Sequence, residues 1–146
     1  MNTIQTVKTS DYLGYGLYAF GGLGLELLLV FLESAVFGTG LSQQSTTFQI
    51  VHWLLTCLLW GIAAKLLFNK IERSNNKIYT KNWIFAISVA LATILITSFF
   101  WGGIKPLIEF QSLGLIKFCF QYIYYIFEGM LITLIIVFGQ KAFDTL

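Results

Sequence analysis

Three glutamates stand inside apolar runs of this chain: Glu26 and Glu33 in "GGLGLELLLVFLES", and Glu128 in "YIYYIFEGMLITL". A histidine, His52, opens a similar run, "HWLLTCLLW". In hydrocarbon a carboxyl group can hold a proton, bind a cation or bond to a neighbouring helix. An unpaired charge at the centre of a membrane helix costs about 2.5–3.5 kcal/mol, and keeping a proton avoids much of that cost. Glu26 and Glu33 are two helical turns apart on one face, a separation of about 10 Å.

The same arithmetic extends to the other apolar runs. Lys117, Gln121, Tyr124 with Tyr125, and Glu128 recur every three or four residues and so share a face. Tyr15, Gly22, Glu26 and Glu33 share another, as do His52, Thr56, Trp60 and Ala63, and as do Ala86, Ala90, Thr93 and Thr97. Each run therefore has one small or polar stripe. Turning the four stripes inward gives a polar-lined interior with Leu, Ile and Phe facing lipid.

The elements that must position these residues are membrane helices. Crossing about 30 Å of hydrocarbon takes roughly 20 apolar helical residues, and four stretches qualify, at about 12–38, 47–68, 83–104 and 114–138. They lack the alternation of barrel strands, so the expected fold is all-α, a single membrane domain over 1–146 built as a four-transmembrane-helix bundle. Composition agrees: 57% of residues are hydrophobic, 17% aromatic and only 11% charged, where a soluble domain carries about 25% charged residues. A net charge of +2 calls for no nucleic-acid partner.

The loop between the second and third runs holds Lys70, Arg73, Lys77 and Lys81, with Lys65 just before it, whereas the outer two loops hold only Lys105. The positive-inside rule puts the middle loop in the cytoplasm, and both termini with it, near Lys8 and Lys141. Glu26 and Glu128 then fall near mid-bilayer on different helices. Glu33, Gln49, His52 and Lys117 fall near the outer edge, with Lys117 snorkelling outward or pairing with Glu33. The start, "MNTIQTVKTSDY", has neither the apolar core nor the cleavage site of a signal peptide. Asn- and Lys-rich polar segments beside Ile- and Phe-rich spans point to an AT-rich bacterial genome, and so to the cytoplasmic membrane.

Cys57 and Cys119 lie in apolar runs and are expected to be buried, reduced packing thiols. Pro106 is expected to end the third helix. Glycines at 14, 16, 21, 22 and 24 are expected to admit a close neighbour to the first helix. No internal repeat marks an inverted-repeat transporter. No metal-ligand cluster, phosphate loop or cofactor signature appears, and "GGLG" lies within a membrane run.

Three classes of function fit these residues. The first is a proton- or cation-coupled transporter of a small solute. Glu26, Glu128, Glu33 and His52 would handle the charge, and Trp60, Gln121, Tyr124 and Tyr125 would add cation–π and hydrogen-bonding surface. Four helices are few for alternating access, so a homo-oligomer is expected. In size, and in joining a membrane glutamate to aromatics, the chain resembles the small multidrug-resistance transporters in general layout, without their sequence motifs and with extra acids. The second class is an intramembrane enzyme using Glu33 and His52. Phe48 and His52 form an F-x-x-x-H pattern that is similar to one in the glutamate-dependent intramembrane proteases. Those proteins also carry a Glu-Glu pair followed by Arg, and a second histidine. Here Glu26 precedes Leu27, no membrane arginine exists, and His52 is the only histidine. The third is an accessory, immunity or regulatory subunit that recognises another membrane protein within the bilayer.

Overall fold

The computed structural model describes residues 8–71 and 79–146; residues 1–7 and the loop cations Arg73 and Lys77 lie outside them. The described regular structure is helical: α1 Thr9–Phe37, a short 3-10 turn Leu41–Gln43, α2 Thr46–Phe68, α3 Thr80–Trp101 and α4 Lys105–Asp144. All four α-helices are long and apolar enough to cross a membrane, as a multi-pass membrane protein requires.

Their ends follow local chemistry. At the start of α1 the Asp11 carboxylate accepts a hydrogen bond from the Lys8 N–H at 3.1 Å. The helix stops at Gly38, whose φ of 69° turns the chain left-handed while its N–H returns to Ser34. Ser45 caps α2, its Oγ accepting from the Phe48 N–H at 3.3 Å.

The third connection differs from the expectation. Gly102, at φ 68°, ends α3 after Trp101, with the Gly103 N–H bonded to Ser98 O at 2.9 Å. Pro106 instead lies in the first turn of α4, where its missing N–H costs nothing. The segment "KPLIEFQSL", expected as a loop, is helical up to Gly114, whose φ of 73° and ψ of 167° break α4 into segments 105–113 and 115–144.

The chain forms two compact units, Met1–Glu72 with Phe120–Leu146, and Arg73–Cys119. The core of the first joins Tyr12 and Ala19 of α1, Trp60, Ala64 and Leu67 of α2, and Leu131, Leu134, Phe138 and Ala142 of α4. Lipid tails are as apolar as these side chains, so tight packing and interhelical hydrogen bonds, and not exclusion from water, must hold the helices together. Gly22 and Gly61 permit that packing. A Cβ on Gly22 would stand 3.4 Å from Leu131 and 3.6 Å from Ala63, and one on Gly61 only 2.9 Å from the Phe127 ring. Gly14, Gly21 and Gly24 face open space, so only Gly16 and Gly22 of the five α1 glycines meet a neighbour. The ends of the chain meet as well, with Thr9 Oγ1 donating to Thr145 O at 3.1 Å and the Lys141 ammonium 5.8 Å from the Tyr12 ring.

In the second unit every residue of α3 is exposed or half-exposed. Its stripe of Ala86, Ala90, Thr93 and Thr97 is not buried, and the threonine hydroxyls bond back to Val89 O and Thr93 O of their own helix. Glu109 is buried at 7% exposure and lies 3.6 Å from Lys105, an i,i+4 pair. Cys119 is exposed, so the expected buried thiol is found at Cys57 alone.

Gly61→Ala should lower thermal stability in detergent by about 1–3 kcal/mol through overlap with Phe127. Gly21→Ala, with nothing near its new methyl group, should leave stability unchanged or raise it. Equal melting of the two variants would refute the close approach at Gly61.

Candidate functional site

Two polar clusters lie inside the first unit. They begin with how α1 and α2 are registered. The Trp60 indole Nε1–H donates to the Gly22 carbonyl at 2.8 Å, and His52 Nδ1 meets Glu33 Oε2 at 2.8 Å. These two contacts fix the helices as antiparallel neighbours. Both depend on the polar stripes: Gly22 and Glu33 share one face of α1, and His52, Thr56 and Trp60 share one face of α2. All three α2 residues are buried, as that face requires.

The central cluster joins α1, α2 and α4. The Tyr124 hydroxyl donates to the Glu26 carboxylate, and Glu128 and Tyr125 lie within electrostatic reach of the same phenol. The Tyr124 ring rests on Trp60, with centroids 4.8 Å apart and planes at 43°. Gln121 bonds to the Tyr125 hydroxyl, and the Tyr124 and Tyr125 rings meet edge to face at 5.9 Å. Glu26 of α1 thus meets Tyr124 of α4, and Glu128 lies one turn further along α4 from the same phenol. Trp60, Gln121, Tyr124 and Tyr125 are brought there with them. Two carboxylates beside aromatic faces in a medium of low dielectric suit a proton or a monovalent cation, because each such species neutralises charge that hydrocarbon cannot solvate.

The second cluster is the Glu33–His52 pair. Glu33 retains 15% side-chain exposure and His52 none. Its partner is an imidazole, and the burial of that ring was not legible from its place near the start of α2. His52 Nε2 and Thr56 Oγ1 are buried polar atoms without a hydrogen-bond partner among the described residues. Thr56 shares the His52 face in sequence yet was not expected to belong to the site; its i,i+4 spacing from His52 was the available signal.

Sequence reasoning also missed a groove of about 740 Å³ between α2 and α4. It is lined by Gly61, Ala64, Lys65, Phe127, Gly129 and Leu134, among others. Gly61 and Gly129 mark it, since neither carries a side chain to fill it. Among the described residues no three His, Cys, Asp or Glu side chains are grouped closely enough to hold a metal ion. No family model, curated protein or solved structure matches the chain.

Glu33→Ala strips the buried imidazole of its partner and should cost about 1–2 kcal/mol of thermal stability in detergent, while Glu33→Gln, which keeps an acceptor oxygen, should cost less. An Ala variant that melts with the parent protein would show that the pair contributes nothing to holding α1 on α2.

Proposed function

We propose that the chain is a proton- or cation-coupled transporter of a small solute, working as a homo-oligomer through Glu26 and Glu128. The observation that carries this reading is the contact of Glu26 with Tyr124 across two membrane helices, against the face of Trp60 and with Glu128 one turn from that phenol. Structural glue alone would be served at lower insertion cost by Gln or Ser, and a carboxylate adds the one property they lack, exchange of a proton for a cation. A protonated pair is neutral and leaves no counter-charge for a cationic solute, so proton and solute compete for one site. That competition is the basis of coupled exchange.

The proposed orientation has both termini in the cytoplasm of a cell bounded by its cytoplasmic membrane. The Thr9–Thr145 contact supports a common side for the two ends. Lys65, Lys70 and Lys81 near the α2–α3 connection, with Lys8 and Lys141 at the chain ends, support the cytoplasmic side.

The burial of His52 disfavours the enzyme reading. An imidazole with no exposed surface can pass protons within the protein but has no access to a substrate from outside. Recognition of a different membrane protein would leave the carboxylates at Glu26 and Glu128 without a task.

Adding tetraphenylphosphonium, a lipophilic monocation, to the protein in weakly buffered detergent should release about one proton per bound probe. Glu26→Gln and Glu128→Gln should release none, and acidification should weaken binding of the probe to the parent protein. Binding without proton release, or release that survives both substitutions, would overturn the coupled-exchange reading.

A further inference from the structure

The remaining buried polar atoms deepen that reading and rest on it: we propose that His52 and Thr56 hold an internal water that links Glu33 to Glu26 as a proton relay. The first ground is that His52 Nε2 and Thr56 Oγ1, in residues 0% and 1% exposed, have no protein partner among the described residues. Buried polar atoms are satisfied by protein or by ordered water, and two such atoms one helical turn apart on one face provide the polar contacts that a single water needs.

The second ground is the behaviour of the other membrane threonines. Thr93, Thr97 and Thr133 each bond to the carbonyl four residues earlier in their own helix. Thr56 has the same local option at the His52 carbonyl and does not take it, so its hydroxyl remains free to bind a water.

The third ground is register. α1 and α2 run antiparallel between the Glu33–His52 and Gly22–Trp60 contacts. Between those anchors Glu26 falls at the level of Thr56 and Cys57. Of the titratable groups near this stretch, Glu33 of α1 contacts His52, Glu26 shares the α1 stripe of Gly22 and Glu33, and Tyr124 of α4, next to Glu26 and one turn from Glu128, rests on Trp60. Thr56 therefore stands at the depth of Glu26 and one helical turn from His52, which holds the partly exposed Glu33.

The relay step conserves protons. A protonated Glu33 gives its proton to His52 Nδ1 while Nε2–H gives one to the water, and the water passes one to the Glu26 carboxylate. One O–H bond breaks at Glu33 and one forms at Glu26, and the imidazole changes from its Nε2–H to its Nδ1–H tautomer. The reverse sequence unloads Glu26. The relay thereby keeps a carboxyl in the low-dielectric interior in equilibrium with the aqueous side that Glu33 touches.

His52 is the only histidine in the chain, so nitrogen-15 histidine labelling gives one assignable imidazole in bilayers. Water-edited solid-state NMR should show rapid transfer of water magnetisation to His52 Nε2 in the parent protein and in Thr56→Ser. Thr56→Val should lose it severalfold, and infrared-detected deuterium exchange at the Glu26 carboxyl should slow with it. Glu26→Gln should leave the water contact intact. A dry Nε2 in the parent protein, or one that Thr56→Val does not change, would overturn the relay. The two readings fail separately: a wet His52 in a protein that binds cations without releasing protons removes coupled exchange and leaves the relay standing, whereas a dry His52 in a proton-releasing protein removes the relay alone.

Discussion

The close approach of α1 and α2 at Gly22 sets the geometry of the first unit. Gly22 has no side chain to hold Leu131 and Ala63 away, and its carbonyl receives the Trp60 indole at 2.8 Å. In lipid this contact matters more than it would in a soluble protein, because apolar side chains gain nothing by leaving hydrocarbon for one another, and helix association falls to packing and hydrogen bonds. Once Gly22 and Trp60 are joined, about one turn of α1 carries Glu26 to Tyr124 and about three carry Glu33 to His52. The Trp60 indole also supplies the surface on which the Tyr124 ring lies, so one side chain ties α1 and α4 to α2.

The polar residues then divide by what satisfies them. Tyr124 and Trp60 spend their hydrogens on groups of α1, which holds the bundle together and aims Glu26 inward. Glu26 and Glu128 have no basic side chain shown beside them in the described first unit, and the proposed exchange of protons for solute rests on that. His52 spends one nitrogen on Glu33 and keeps the other, and Thr56 keeps its hydroxyl. A membrane protein under no pressure but stability would replace such atoms with carbon, since an unpaired buried polar group costs free energy. Their presence is the physical reason to assign them a part in moving protons.

Much of this was legible in the sequence. Four apolar helices follow from length and hydropathy, and their ends lie within about three residues of those expected except around Pro106 and at the end of α4, which runs on to Asp144. Helix-face arithmetic put Gly22, Glu26 and Glu33 together, and likewise His52, Thr56 and Trp60, because the 3.6-residue period fixes direction whatever the partner. Which stripes meet is a tertiary fact that periodicity cannot supply. The burial of the His52 ring, the role of Gly61 against Phe127, and the exposure of the α3 stripe were therefore hidden, whereas the nearness of Glu33 to His52 was legible from their common depth. The helix over 105–113 was missed for a local reason: "KPLIEFQSL" is too short and mixed to read as a span, and Pro106 signals a helix start as readily as a stop.

The most direct test is infrared spectroscopy of the Glu26 carboxyl in bilayers, its band identified by loss in Glu26→Gln. The hydrogen bond between α1 and α4 predicts that Tyr124→Phe shifts this band, while Tyr15→Phe, on the same helix as Glu26 but packed on Phe138, leaves it in place. A Glu26 band indifferent to Tyr124→Phe would contradict the central cluster and, with it, the assignment of coupled exchange to Glu26 and Glu128.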